Sequence, residues 1–358
     1  MKKGLIITLI IILVLAALAV GFVMLDPLAL FDQPVPTEPT PTQAPTEAPT
    51  EPEPTEPAPT EPEPTEPEPT EPPFQMEVGP AYGDFLYGRE MTAGEYFVYD
   101  LDRDRFVVRT GNETERAYPA SITKLYTALV ALQYLDPQEE ITVGSEIWMI
   151  DEDSSVAELR YGDVLTVEQL ISGMLLPSGN DATQVVAVAA GRKLAEDPEL
   201  NMYYAVERFV TQMNEDREKM GLTGSHFVTV DGMHSGNHYI SFQDFVTIGK
   251  LAMENDVIAK SVETFTMEIP MGEDRSLKWK NSNMLLDPES RYYCSYITGL
   301  KTGFTTPAGN CLLSYAQLGE KHYIIGVLEC LYPEDRFADT LLLLMRVMGE
   351  PIPAPNQE

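Results

Sequence analysis

The spacing of apolar residues predicts strands at both ends of the folded part of this chain and helices between them. Runs rich in β-branched and aromatic residues, bounded by turn residues, predict strands at 95–100, 105–110, 265–270, 296–301, 310–317 and 322–330. Apolar residues three and four positions apart predict helices at 121–135, 166–176, 181–194, 204–220, 241–253 and 337–348. The order predicts an α+β fold, in which both chain ends build one antiparallel sheet beside a cluster of helices.

A different pattern occupies the N-terminus, where an apolar run covers residues 4–25 after Lys2 and Lys3. At ~1.5 Å per residue, such a helix is long enough to cross a bilayer core of ~30 Å. We therefore expect a transmembrane anchor at 4–25, with residues 1–3 in the cytoplasm and everything after Asp26 on the cell-wall side. A cleaved signal peptide is the alternative, because Ala17-Leu-Ala19 offers a cleavage pattern. Both readings predict export.

Residues 26–75 form a segment dominated by proline, threonine and glutamate, with sixteen prolines between 34 and 73. Proline fixes φ and removes backbone donors, so neither helix nor sheet can form there, and we expect a disordered spacer. Forty residues in polyproline II geometry could reach on the order of 120 Å. The folded catalytic domain is expected at 76–350 and a short tail at 351–358.

Charge and cysteine content exclude some classes of function. The formal net charge of -32 would repel phosphate backbones, so nucleic-acid binding is not expected. The three cysteines, Cys294, Cys311 and Cys330, lack the close spacings of zinc or thiol redox sites. We interpret them as small buried hydrophobic residues, with one disulfide among them as the alternative.

Ser121 and Lys124 are candidates for chemistry because they lie three positions apart at a predicted helix start. A serine hydroxyl needs an adjacent base, and a lysine serves once burial and nearby positive charge depress its pKa. This spacing alone is weak, since chance and helix capping also produce it. Two further segments raise its specificity: Ser178-Gly-Asn180 precedes a predicted helix, and Lys301-Thr-Gly303 ends a predicted strand.

These three segments, in this order, resemble the SxxK, SxN and KTG motifs of penicillin-binding proteins and serine β-lactamases. Their surroundings, such as Tyr118-Pro-Ala-Ser-Ile-Thr-Lys-Leu and Leu175-Leu-Pro-Ser-Gly-Asn-Asp-Ala, look like those of D-alanyl-D-alanine carboxypeptidases. The resemblance covers about residues 82–349. It implies the β-lactamase and penicillin-binding-protein transpeptidase fold, and removal of the terminal D-alanine from peptidoglycan stem peptides without a cofactor or metal, with β-lactams as inhibitors.

The resemblance also implies a role for each site residue. Ser121 would be the nucleophile, Lys124 its base and Ser178 the proton relay to the leaving amine. Substrate binding would fall to six residues: Asn180, Lys301, Thr302, Gly303, Phe304 and Arg336. The backbone N–H groups of Ser121 and Phe304 would form the oxyanion hole, and Thr302 with Arg336 would bind the terminal carboxylate.

Three alternatives stay open beside this interpretation. The same residues could serve a β-lactamase, endopeptidase or transpeptidase, and residues 197–201 look like the loop that carries the deacylating base in class A β-lactamases. We expect that segment to be a helix connection instead. A catalytically silent wall-binding module is the third alternative. Asp231, His234 and His238 could suggest a metal site, but we expect these residues, like His226 and His322, to be structural.

Overall fold

The computed structural model describes Leu86 and residues 89–349. The predicted anchor at 4–25, the spacer at 26–75 and the tail at 351–358 lie outside these residues. Among the helices described, none has both the length and the apolar character needed to span a bilayer.

The described chain follows the predicted broad order: strands first, then a mainly helical middle, then strands again and a closing helix. The helices are α1 (Thr123–Ala131), α2 (Val167–Leu175), α3 (Asn180–Ala195), α4 (Met202–Lys219), α5 (Phe242–Glu254), α6 (Asp256–Glu263) and α7 (Asp335–Met348). The strands are β1 (Glu95–Asp100), β2 (Arg105–Arg109), β3 (Arg116–Ala117), β4 (Glu140–Thr142), β5 (Val164–Thr166), β6 (Ile240–Ser241), β7 (Thr266–Pro270), β8 (Ser276–Lys280), β9 (Ile297–Thr305), β10 (Gly309–Leu318) and β11 (Lys321–Cys330).

The main sheet has five antiparallel strands in the order β2-β1-β11-β10-β9. Strands from both ends of the described chain therefore pair in one sheet, as the sequence predicts. β9 lies at the edge of the sheet, so the backbone N–H and C=O groups on its outer side are not paired with another strand of this sheet. This edge carries the Lys301-Thr-Gly303 segment.

Alternate residues of the sheet pack into two cores on its opposite faces. Phe97 and Leu313 join the core shared with α1 to α6, whereas Val98 and Leu312 join the core beneath α7. Period-two alternation of buried apolar side chains places each strand between the two layers. The sheet is thus held rigidly, with the helical cluster on one side and α7 on the other.

Three sequence predictions of local structure are wrong in detail. The helix predicted at 121–135 is shorter, because Ala120–Ile122 form a 3-10 turn and the α-helix spans only Thr123–Ala131. The strand at 265–270 does not join the main sheet but pairs with β8, which the sequence analysis missed. The third difference is α6, which no sequence pattern predicted. It follows α5 after one residue, Asn255, and the Asn255 side chain caps the start of α6.

Candidate active site

Ser121 lies in the 3-10 turn that leads into α1. Ala120, directly before it, has a φ of 47°, a left-handed conformation that prevents the helix from extending backwards. Lys124 stands one turn later, and its Nζ is 2.7 Å from Ser121 Oγ. The junction of turn and helix therefore brings the hydroxyl and the amine into hydrogen-bond contact.

The Lys124 side chain is completely buried. Burial lowers its pKa to about 8, although the nearby charges of Asp231 and Asp181 oppose that shift. Its Nζ also donates to the main-chain oxygen of Asp231, at 3.1 Å, which fixes the amine in place. With this pKa roughly a tenth of the amine is unprotonated at pH 7, far more than for an ordinary lysine, so it can accept a proton from Ser121.

Gly303 brings the edge strand β9 against the turn that carries Ser121. A Cβ at this position would lie 2.9 Å from Pro119 O and 3.2 Å from Ser121 N. Real Cβ atoms scarcely tolerate such distances from backbone, so only glycine permits this approach. The strand continues to Thr305 rather than ending at this segment, which corrects the boundary predicted from sequence.

Lys301 and Thr302 place a cation and a hydroxyl on the same strand. Lys301 is buried, and its Nζ donates to the Thr302 carbonyl at 3.0 Å. Burial, followed by the charges of Lys124 and Arg336, lowers its pKa well below the ordinary value. The Thr302 hydroxyl forms a 2.5 Å hydrogen bond with that of Ser282. The effect of Lys124 and Arg336 on the Lys301 pKa indicates that these three basic side chains lie close together.

Arg336 reaches this site from the first turn of α7, where its Nη1 donates to the Gly303 carbonyl at 3.1 Å. Phe304 follows Gly303, and 59% of the Phe304 surface is exposed to solvent. Only the backbone of Phe304 can therefore belong to an oxyanion hole, while its ring faces outward.

Ser178 and Asn180 occupy the tight connection between α2 and α3. Ser178 is buried and has a φ of 64°, and Asn180 is the first residue of α3. Asn180 Nδ2 donates to Ser154 Oγ at 3.0 Å. Asp181 influences the Lys124 pKa, which places the start of α3 close to the nucleophile and its base.

Three residues that support the site were missed by the sequence analysis. The Asp181 carboxylate accepts hydrogen bonds from backbone N–H groups across the connection, the Asp231 carbonyl holds Lys124, and Ser282 contacts Thr302. Asp181 follows Asn180 directly and could have been noticed as an acidic residue in the first turn of a helix. No local signal identifies the other two, because their contacts span many residues along the chain.

Comparison with known proteins decides the family. A family model described as D-alanyl-D-alanine carboxypeptidase, of the S11 peptidases, matches residues 84–330. The chain belongs to the D-alanyl-D-alanine carboxypeptidase family.

Relatives and solved structures agree with this membership. The chain is 29% identical to D-alanyl-D-alanine carboxypeptidase DacD of Escherichia coli strain K12 over 67% of its own length and 58% of that protein. It is 33% identical to the D-alanyl-D-alanine carboxypeptidase of Streptomyces sp. strain K15, over 60% of this chain and 72% of the relative. The chain thus spans less than two thirds of the Escherichia coli relative.

The predicted fold is confirmed by a solved structure of the same class. The crystal structure of the Streptomyces K15 DD-transpeptidase matches with a TM-score of 0.65 at 27% sequence identity. The match covers 73% of this chain and 98% of the other.

Within this carboxypeptidase-family domain, His238 supports the nucleophile's helix instead of forming a metal centre. Its Nδ1 accepts hydrogen bonds from the N–H groups of Val228 and Thr229, and its Nε2 contacts Thr123 Oγ1 at 2.9 Å. Burial lowers its pKa to about 4, so the ring is neutral. His234 instead packs edge-on against Tyr118. Across residues 89–349, no three His, Cys, Asp or Glu side chains are grouped so that they could hold a metal.

The segment at 197–201 connects α3 to α4, as predicted. Asn201 caps α4 by accepting a hydrogen bond from the Tyr203 N–H, and Asp197 accepts one from the Glu199 N–H. Asp197 and Glu199 are exposed, and their contacts are those of an ordinary turn. The side chains of Cys294, Cys311 and Cys330 are all buried, which confirms their interpretation as small core residues.

Proposed function

We propose that this protein is a serine-type D-alanyl-D-alanine carboxypeptidase that removes the terminal D-alanine from peptidoglycan pentapeptides. The observation that carries the proposal is the 2.7 Å contact between the buried Lys124 amine and the Ser121 hydroxyl. Membership of the family and the approach of Gly303 to the same turn support it.

In the proposed acylation step, Ser121 Oγ attacks the carbonyl carbon between the two D-alanines. Its proton passes to the unprotonated amine of Lys124, and the carbonyl oxygen becomes an oxyanion near the N–H groups of Ser121 and Phe304. The C–N bond then breaks, and Ser178 relays a proton to the departing amine. Free D-alanine leaves, and the shortened peptide remains as an ester on Ser121.

Water completes the cycle by attacking that ester. Lys124 accepts a proton from the water, the C–O bond to Ser121 breaks, and the proton returns to Ser121 Oγ. The shortened peptide is released as a carboxylate. β-Lactams would acylate Ser121 in the same way, but the opened ring stays attached because no leaving group departs.

The cationic residues around β9 account for the choice of a C-terminal substrate. Burial depresses the pKa values of Lys301 and Arg336, and the charges of Lys124 and Arg336 depress that of Lys301 further, so an incoming carboxylate would relieve unfavourable charge there. Thr302 adds a hydroxyl and Asn180 an amide for the substrate backbone. A free C-terminal carboxylate is therefore the expected anchor of the substrate in a protein that is otherwise strongly acidic.

Release of D-alanine from diacetylated Lys-D-Ala-D-Ala tests the proposal. The wild-type protein should release it, and Ser121→Ala should not. Ser235→Ala is the matched control: Ser235 lies in the second Ser-Gly-Asn sequence, its hydroxyl accepts a hydrogen bond from the Asn237 N–H, and its loss should leave the rate unchanged. Equal release by wild type and Ser121→Ala would refute the mechanism.

A fluorescent penicillin separates the alternatives. A long-lived adduct on Ser121 supports a carboxypeptidase, whereas rapid turnover would indicate a β-lactamase. Absence of labelling in folded protein would indicate a catalytically silent module.

The proposal includes the cellular location expected from the sequence. The apolar run at 4–25 and the spacer would hold the enzyme at the membrane on the cell-wall side. Protease added to intact cells should remove the catalytic domain, while mass spectrometry of the native N-terminus should find residues 1–25 retained. A mature N-terminus beginning after residue 19 would indicate a cleaved signal peptide instead.

A further inference from the structure

Two exposed aromatic rings form a nearly parallel pair, and one of them lies in the loop that contacts the start of α3. Trp148 is 70% exposed and Tyr161 is 68% exposed. Their ring centroids are 6.1 Å apart, and their planes differ by only 7°. Large aromatic rings that stack in solvent are unusual on a surface that has no binding partner. At recognition surfaces, aromatic residues of this kind contribute most of the binding energy.

The loop that carries Tyr161 is fixed to the catalytic machinery. In residues 153–163, the N–H groups of Ala157 and Leu159 donate to Asp181 at 2.7 and 3.0 Å. Trp279 Nε1 donates to the Ala157 carbonyl at 2.8 Å. The loop is therefore rigid and begins beside Asn180 at the start of α3, so the aromatic pair loses little entropy when it binds.

More exposed aromatic residues extend the surface away from the active site. The turn that carries Trp148 includes Ser145, whose Oγ lies 3.5 Å from Sδ of Met202 at the start of α4. Tyr203 and Tyr204 follow Met202 and are 62% and 64% exposed. Several exposed rings on neighbouring elements suit a polymer better than a small ligand.

The charge of this region restricts the polymer. Asp151, Glu152, Asp153 and Glu158 are exposed between the two rings in sequence, and Arg160 is the only basic residue among them. Anionic polymers and anionic lipids would be repelled. Saccharides without negative charge fit, because the C–H faces of pyranose rings pack against aromatic rings and their hydroxyls bond to carboxylates.

We infer that Trp148 and Tyr161 form a binding surface for the N-acetylhexosamine units of the peptidoglycan glycan strand. This inference rests on the proposed function, since the same polymer would present its stem peptides to Ser121. Binding of the strand beside α3 would raise the local concentration of stem peptides at the site.

Fluorescence of the full-length protein tests the surface directly with chitotetraose, the tetramer of N-acetylglucosamine. The chain has two tryptophans, and Trp279 is buried, so Trp148 is the reporter that acrylamide reaches. Chitotetraose should protect Trp148 from acrylamide in a saturable manner. Tyr161→Ala keeps the reporter and should weaken binding by about fivefold to tenfold. Tyr332→Ala, an exposed tyrosine before α7, is the control and should bind as wild type. No saturable protection, or equal affinity in Tyr161→Ala, would overturn the inference.

Activity on two substrates gives a second readout. In a Trp148→Ala/Tyr161→Ala variant, D-alanine release from the soluble peptide should be unchanged, while release from intact peptidoglycan should fall about tenfold. An equal fall on both substrates would overturn the inference, because it would reflect damage to the site. Failure of wild type to hydrolyse either substrate would instead refute the proposed function, and the chitotetraose titration would still decide the binding surface.

Discussion

Replacing Gly303 with alanine tests whether the approach of β9 sets the position of the nucleophile. The new Cβ would lie 2.9 Å from Pro119 O, 3.0 Å from Ala120 Cβ and 3.2 Å from Ser121 N. None of these atoms can rotate away, because two are backbone and the third is a Cβ. Restoring an ordinary contact of 3.4 Å requires the turn to move by about half an ångström.

The cost of that movement can be worked out for both activity and stability. A misplacement of 1 Å costs on the order of 100-fold in rate, so half an ångström should cost roughly tenfold, or ~1.4 kcal/mol of activation free energy. Overpacking of the contact should lower the free energy of unfolding by about 1–3 kcal/mol. Gly303→Ala should therefore fold but acylate slowly.

The assay is the rate of acylation by a fluorescent penicillin, with thermal unfolding measured in parallel. Gly236→Ala is the matched control, because its Cβ would meet nothing within 4 Å. Adding Ala120→Gly should recover part of the rate, since it removes one of the three close contacts and suits the φ of 47°. A folded Gly303→Ala protein that acylates at the wild-type rate would refute the reasoning.

Three further predictions concern charge and the helix connection. Because the Lys124 pKa is about 8, acylation should rise with pH to half its maximum near that value, and Lys124→Arg should lower the rate by about 100-fold or more. Glu199→Gln should leave the hydrolysis rate of the penicillin adduct unchanged, whereas Asn201→Ala should lower the unfolding free energy by about 1 kcal/mol through loss of the α4 cap. The His238 pKa falls from 6.5 to about 4 on folding, so the unfolded chain binds more protons between these values. Stability should then decrease as pH drops from 6.5 towards 4, by up to about 3 kcal/mol, and His238→Gln should flatten that part of the unfolding profile.

Periodicity predicted the large elements because burial decides them. The β-rich apolar runs of β10 and β11 are buried on both faces, and the apolar spacing in α3 and α5 reflects faces that meet a core, so both type and position could be read from the sequence. Short elements gave no such signal. α6 has only eight residues, and β8 pairs with β7 outside the main sheet.

The motifs predict candidate residues for the chemistry, but they carry no information about how those residues are held. Asp231 and Ser282 act through a carbonyl and a hydroxyl contributed by distant parts of the chain. A carbonyl is common to every residue, so the contribution of Asp231 to the position of Lys124 leaves no trace in residue type. Such contacts follow from the tertiary fold alone.

The failed helix prediction at Ser121 lies where local preference and tertiary packing conflict. Ala120 and Ser178 both adopt positive φ, which L-residues favour little, and each lies at or next to a serine assigned to the chemistry. A regular helix through Ser121 would satisfy local preference, but the left-handed Ala120 turns the chain so that β9 can approach at Gly303. The burial of the amine of Lys124 beside this turn is also unfavourable on its own, yet it supplies the depressed pKa that the reaction needs. The departure from the sequence pattern is thus a consequence of the same packing that assembles the base, the nucleophile and the substrate strand.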